Sequence, residues 1–338
     1  MHVFDYDLII LGAGASGLLA AHQINHLPLH IAIIEKSTSV GGRLATRRIG
    51  NGRADHGAQF FTIRAPETQA LVDQWLADGI VFEWARGWSS ISLDNAAKAG
   101  HPRYAVHGGM NQLAKHLANG LPVLTNHRAT AIYAHGSGWR VRLEDSRDLT
   151  TRALLLTAPP PQALELLDAG KVDLNPTDRT ALEHIRYAPA LCGLFQLTPG
   201  SISLPNPGAL QNPASPIAWM ADNQRKGISP DECLITVQCS PEYSTIHFED
   251  TDEDILSFLT EALVAHLKHP TDIISAQLKR WRYALPTVSH PDRYLEAANL
   301  PALLFAGDSF GSPRVEGALL SGLAAGQRLE QLLRHSDR

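Results

Sequence analysis

A chain of 338 residues, 44% hydrophobic and 19% charged, can bury a full core, and its length predicts two domains rather than one. A net charge of −5 with both signs interspersed argues against nucleic acid or a membrane surface as partner, and no apolar run is long enough to span a bilayer. The three cysteines, Cys192, Cys233 and Cys239, form no paired motif and read as buried thiols; with no export segment at the N-terminus, a cytoplasmic location is expected.

In chain order, the first predicted element is "YDLIIL", a short apolar run suited to a central parallel strand. The glycines Gly12, Gly14 and Gly17 follow, then a helix over "SGLLAAHQI" and a second strand, "LHIAIIEK", reaching Glu35. In such a βαβ unit the glycines let a pyrophosphate approach the helix N-terminus, and an acidic residue roughly 20 positions on accepts hydrogen bonds from a ribose. The candidate cofactor contacts here are Gly12, Gly14, Ala15, Ser16, Gly17, Glu35 and its neighbour Lys36.

The motif alone serves FAD as readily as NAD. The next stretch, "GGRLATRR", favours FAD: Gly41 and Gly42 let the backbone pass close to a ligand, and Arg43 can neutralise pyrophosphate charge, a second loop that an NAD domain does not need.

A helix and strand are predicted over residues 67–90, and an antiparallel hairpin followed by a buried strand over "RATAIYAHGSGWRVRLEDSRDLTTRALLLTA". The prolines of "APPPQALELL" mark an expected domain exit. Beyond it the pattern is mixed, with a proline-rich loop at "LPNPGALQNPASPIAWM", a strand at "CLITVQCS" and a helix over "DEDILSFLTEALVAHL". Near the C-terminus a buried strand ends at Gly307 and Asp308, and a loop through Arg314 leads into a helix starting near Val315. Asp308 is suited to a ribityl hydroxyl. The N–H groups of Glu316, Gly317 and Ala318 are expected to face the flavin N1–C2=O edge, which becomes negative on reduction. Two dinucleotide-binding elements at opposite ends of the sequence imply one elongated ligand, FAD.

These residues resemble the flavin amine oxidase superfamily and, within it, the renalase-like proteins, over nearly the whole chain. The resemblance rests on "GAGASGLLAA", "EKSTSVGGRLATRR", "ADHGAQFFTIR", "HGGMNQLAKHLANGLPVLTNHRATAIY", "LLLTAPPPQALELL", "KRWRYALP" and "GDSFGSPRVEGALLSG". It implies an α/β architecture: a glutathione-reductase-type, Rossmann-like FAD-binding domain assembled from residues 1–66, 100–161 and 276–338. A mixed α+β substrate domain would comprise residues 67–99 and 162–275. It also implies that Ala129 meets the adenine through its backbone and that Gly57, Ala58, Gln59 and Phe60 lie along the isoalloxazine. Substrate contacts are expected at Phe61, Trp219, Trp281 and Tyr283. No cysteine follows Cys239, so the FAD is expected to be non-covalent.

Lys226, Lys268 and Lys279 sit in no recognisable catalytic setting and are read as solvated charges. The 16 histidines form no metal-binding spacing, and no serine-hydrolase elbow is present. Renalase-like enzymes oxidise misreduced isomers of NAD(P)H and pass the electrons to O2 as peroxide. A dihydropyridine needs no general base, whereas an amine must first be deprotonated, and no residue stands out as catalytic. Three readings remain: oxidation of a dihydronicotinamide dinucleotide isomer, oxidation of an amine or other small metabolite, and flavin binding without turnover.

Overall fold

A computed structural model describes residues 4–88 and 100–335. Residues 89–99, within the expected second-domain segment 67–99, lie outside the described residues, as do both chain ends. Contacts divide the chain into two compact units, Met1–Gly42 with Ala114–Arg186 and Pro286–Arg338, and Arg43–Leu113 with Tyr187–Leu285. This partition by contact cuts the chain at other places than the functional one expected above, notably around residues 43–66 and 162–186.

The chain opens with β1 (Tyr6–Leu11), α1 (Ala15–Ile24) and β2 (Ile31–Ile34), followed by the hairpin β3 (Thr46–Ile49) and β4 (Gly52–Asp55). Next come α2 (Pro66–Ala77), the antiparallel pair β5 (Val81–Ala85) and β6 (Arg103–Val106), α3 (Asn111–Ala118) and β7 (Val123–Leu124). The predicted hairpin and buried strand are β8 (Ala129–His135), β9 (Gly138–Leu143) and β10 (Asp148–Leu156). The prolines after β10 start α4 (Pro160–Ala169), where a missing N–H is harmless, and α5 (Pro176–His184) follows within the first unit. Then come β11 (Arg186–Leu197), β12 (Ala209–Gln211), β13 (Ile217–Asp222) and β14 (Cys233–Cys239). α6 (Pro241–Ile246), α7 (Asp252–Val264), β15 (Ile273–Val288), β16 (Leu295–Glu296), β17 (Leu303–Phe305) and α8 (Val315–His335) complete the order.

In the first unit the main sheet runs β16-β17-β10-β1-β2-β7, with β9 and β8 continuing from β10. Strands β17, β10, β1, β2 and β7 are mutually parallel, and the apolar runs of β17, β10, β1 and β2 are buried, as parallel sheets require, while the edge strand β7 is half-buried. Helix α8 lies against α1 through small residues: a Cβ at Gly322 would sit 2.4 Å from the Ser16 carbonyl oxygen. The backbones of the two helices therefore approach closely there.

The second unit holds a five-stranded sheet, β12-β13-β14-β11-β15. The apolar face of α7, Ile255, Leu259 and Leu263, packs with Phe195, Ile235 and Val237 of this sheet. The expected proline-rich loop is partly strand: Ala209–Gln211 pairs with Trp219–Ala221. Dense Pro and Gly conceal an edge strand this short.

Candidate active site

The loops at the carboxyl ends of β1, β2, β10 and β17 carry the first-unit candidates. Gly12 has φ +113°, and a Cβ there would lie 2.5 Å from Thr157 Oγ1, so glycine is required. The Thr157 hydroxyl lies within donating distance of the carbonyls of Leu11 (3.0 Å) and Gly12 (3.1 Å). Gly17 would place a Cβ 2.2 Å from the Gly12 carbonyl oxygen, so it lets α1 start hard against the loop. Gly14 differs: a Cβ there would meet no atom within 4 Å. It is the N-cap of α1 and no side chain caps the helix, leaving the first-turn N–H groups for a ligand. The buried Ser16 hydroxyl has no hydrogen-bond partner. Open cradle, uncapped helix and orphaned hydroxyl together fit the pyrophosphate of a dinucleotide.

Glu35 is 7% exposed. Its Oε2 accepts the Ala13 N–H at 3.0 Å and its Oε1 the Ser37 N–H at 2.8 Å. Each oxygen keeps a second lone pair for a ribose hydroxyl. Lys36 is exposed and points its ammonium at Gln162 Oε1, 3.4 Å away. Gly42 has φ +51°, and the nearest atom to a Cβ there would be Gly14 Cα at 3.8 Å, so the two glycine loops face each other across backbone. Ala129 opens β8, two residues after His127, whose N–H donates to the Glu35 carbonyl at 2.9 Å.

Gly307, at φ +144°, follows β17, and a Cβ there would lie 3.7 Å from the Thr157 carbonyl oxygen. Thr157 is therefore flanked by Gly12 and Gly307, which come from opposite ends of the sequence. The half-buried Asp308 is next in the chain. Arg314 precedes α8 at φ +119°, a strained conformation for a residue with a side chain. Val315 and Glu316 then begin the helix. One expectation needs correction: the Ala318 N–H donates to the Arg314 carbonyl at 3.1 Å, so it closes the first helical bond and is not an outward donor.

In the second unit the Gly57–Phe60 run is held by a buried polar network. Asp55 and Lys226 are both fully buried and lie 2.6 Å apart, from Oδ2 to Nζ. The same ammonium donates to the Gln59 carbonyl at 2.5 Å, and Asp55 Oδ1 accepts from Thr46 Oγ1 at 2.5 Å and the Met110 N–H at 2.8 Å. Gln59 Nε2 donates to the carbonyls of Asp55 (2.8 Å) and Gly57 (3.2 Å), while its Oε1 is buried without a partner. The Ala58 N–H donates to the Arg43 carbonyl at 2.9 Å, and a Cβ on Gly57 would come within 2.1 Å of that oxygen. Lys226 is thus not a solvated charge. Burial pulls its ammonium below the usual lysine range, and Asp55 opposes that shift.

Phe60 packs against Trp88 (5.1 Å between ring centres) and Trp219 (5.5 Å), and Trp84 completes the group. The Arg103 guanidinium stands 4.6 Å over Trp88, and the Lys226 ammonium 4.9 Å from the Trp84 ring centre. Phe61 and Trp219 are core residues, 3% and 6% exposed. Phe61 lies against Tyr104. On β15, Trp281 donates to the His56 carbonyl at 2.9 Å and stacks on its ring. Two residues on, the Tyr283 carbonyl accepts from Arg43 at 3.4 Å, and Arg43 also stands 5.6 Å over Tyr187. His56 is lowered to about 4, mainly by burial and then by Lys279, with Asp55 opposing; its Nδ1 is buried without a partner.

Thr157, His56, Arg103 and Lys226 were not among the expected site residues. A signal existed for Lys226: a buried aspartate before Gly57 demands a cation. Among the described residues no group of three or more His, Cys, Asp or Glu side chains is placed to hold a metal. Nor is any helix among them long and apolar enough to cross a membrane.

Residues 76–329 match the family of flavin containing amine oxidoreductases, and residues 10–75 match an NAD(P)-binding Rossmann-like domain. Renalase from Mus musculus is 23% identical over 343 residues, covering 96% of this chain and 99% of its own. The flavin-dependent L-tryptophan oxidase RebO of Lentzea aerocolonigenes is 36% identical over 59 residues, 18% of this chain and 12% of that one. Among solved structures, putrescine oxidase bound to putrescine superposes with a TM-score of 0.72 at 15% identity, covering 96% of this chain and 99% of that one. The chain belongs to the flavin-containing amine oxidoreductase family and is an FAD-dependent oxidoreductase.

Proposed function

We propose that the enzyme oxidises dihydronicotinamide dinucleotides that carry their hydride on the wrong ring carbon, returning the aromatic nicotinamide. When bound, FAD would supply the hydride acceptor, with O2 as the final oxidant reduced to peroxide. The reading places Gly12, Gly14, Ala15, Ser16, Gly17 and Gly42 at the pyrophosphate, Glu35 and Lys36 at the ribose and Ala129 at the adenine. Arg43 adds positive charge, Gly307 and Asp308 meet the ribityl chain, and Arg314, Val315 and Glu316 lie at the N1–C2=O edge. Gly57–Phe60 meet the isoalloxazine, and Trp281 and Tyr283 orient the substrate.

One observation carries the choice of substrate: the titratable groups bonded into or adjoining the Gly57–Phe60 run are unsuited to deprotonating an amine. Lys226 is bound to Asp55, and His56, at about 4, is too weak a base. A dihydropyridine already carries a labile hydride and needs only orientation. The aromatic cluster that could receive an ammonium already faces the chain's own cations, Arg103 and Lys226. Three buried, unpaired cysteines support a reducing, cytoplasmic setting. The reading is tested by peroxide production with borohydride-reduced NAD+ and NADP+, which contain the misreduced isomers, against NADH, putrescine and benzylamine. Turnover confined to the borohydride mixtures is expected. Turnover confined to an amine would establish the alternative, an amine oxidase.

A further inference from the structure

Among the described residues, Lys226 is the lysine found in the fully buried core, and the mechanism above leaves it unused. It lies on the turn after β13, where Asp222 Oδ1 accepts the N–H groups of Gln224 (2.9 Å) and Arg225 (3.0 Å) and shapes the turn. The Lys226 N–H donates to the Asp222 carbonyl at 2.9 Å, and its side chain runs past the Trp84 ring. Its ammonium donates to one short segment, to the Asp55 carboxylate and the Gln59 carbonyl. Asn223 and Thr236 hold the start of the segment: the Asp55 N–H donates to Asn223 Oδ1 at 3.3 Å, and Thr236 Oγ1 donates to the Asp55 carbonyl at 2.8 Å. Gln238 reaches the Gly57 carbonyl at 3.0 Å. Every carbonyl from Asp55 to Gly57 therefore has a donor, and Lys226, together with the Gln59 amide that donates to the Asp55 carbonyl, ties the segment's two ends together.

We propose that Lys226 is a positioning residue for the flavin ring: its ammonium, clamped between the Asp55 carboxylate and the Gln59 carbonyl, sets the shape of the Asp55–Phe60 segment that meets the isoalloxazine. The inference rests on the placement of Gly57–Phe60 at the ring. A lysine suits the task because its compact ammonium donates in three directions, and neither methionine nor glutamine can supply a charge to Asp55. An unpaired Asp55 in this core would be strongly disfavoured, so the clamp and its counter-ion have to be removed together in at least one variant.

The test uses K226M and the charge-free double variant D55N/K226Q, which leaves no lone buried ion. FAD affinity is measured by quenching of flavin fluorescence, and the visible flavin spectrum and midpoint potential are recorded well below each variant's melting temperature. The expected result in a folded variant is a rise in FAD Kd of about tenfold, the consequence of losing one charged hydrogen bond that shapes the site. A changed flavin spectrum and potential should accompany it. A folded D55N/K226Q protein with wild-type FAD affinity, spectrum and potential but a lower melting temperature would make the pair merely structural and overturn the proposal. Q59L separates the two layers of argument. If Q59L changes the flavin spectrum and the Lys226 variants do not, only the clamp fails; if none of the three does, the placement of the ring fails as well.

Discussion

Gly14→Ala isolates ligand approach from protein packing. Its φ of −79° suits alanine, and the added methyl would meet no protein atom within 4 Å. Two small effects act on the apoprotein. Restricting the unfolded chain stabilises it by about 0.4–1 kcal/mol, while alanine is a poorer N-cap than glycine by a similar amount. They nearly cancel, so apoprotein Tm should move by no more than about 4 °C. In the proposed cradle, however, the methyl would stand where the pyrophosphate is placed against the α1 N–H groups. Losing one charged hydrogen bond there costs about 1.5–3 kcal/mol, a 10- to 150-fold rise in FAD Kd. Gly17→Ala is the control, because its methyl would lie 2.2 Å from the Gly12 carbonyl oxygen and should destabilise the apoprotein itself by about 1–3 kcal/mol. Thermal melts of apoprotein and FAD titrations separate the two. If Gly14→Ala left FAD affinity unchanged, or lowered apoprotein Tm as Gly17→Ala does, the loop would be a packing turn and not a phosphate cradle.

Glu35→Ala removes the acceptor of two backbone N–H groups and the proposed ribose contact, so apoprotein Tm and FAD affinity should both fall, the latter by about 10- to 150-fold. A fall in Tm alone would reduce Glu35 to a loop brace. Acid precipitation should release all the FAD into the supernatant; flavin in the pellet would refute non-covalent binding. His56 sits below its unfolded value of 6.5, at about 4, through burial and Lys279, with Asp55 opposing and Arg47 adding to the shift. The unfolded chain therefore binds the proton first. Its contribution to stability is full above pH 6.5 and declines as pH falls to 4, by about 3 kcal/mol in all. His56→Phe should flatten urea-derived stability across that window, and an unchanged slope would show that His56 is not held neutral.

The first unit was legible because its signals are local. Three glycines, an apolar run on each side and Glu35 lie within one βαβ stretch, and the Gly17 constraint arises from the Gly12 carbonyl of the same loop. Thr157 was not legible as a site residue: it lies in the stretch "LLLTAPPPQALELL", but only the parallel pairing of β1 with β10 and β10 with β17 puts it between Gly12 and Gly307. Lys226 and Asp55 are 171 residues apart, and a lysine in "DNQRKGIS" reads as solvated because most lysines are. Trp219 is expected at the substrate by likeness of segment, and its register on β13 buries it beside Phe60. Ala318 was missed by one residue of helix phase, since the N–H groups left over at a helix start end where the first backbone bond closes.

The central claim, hydride transfer from a misreduced dihydronicotinamide, is tested most directly by anaerobic stopped-flow mixing of the FAD-loaded enzyme with a purified misreduced isomer. The isomer is used unlabelled and with deuterium at the misplaced ring carbon. Bleaching of the visible flavin band within one turnover, slowed by the deuterium, is expected, with no bleaching by normal NADH or by putrescine. Bleaching by putrescine and none by the isomer would contradict the claim.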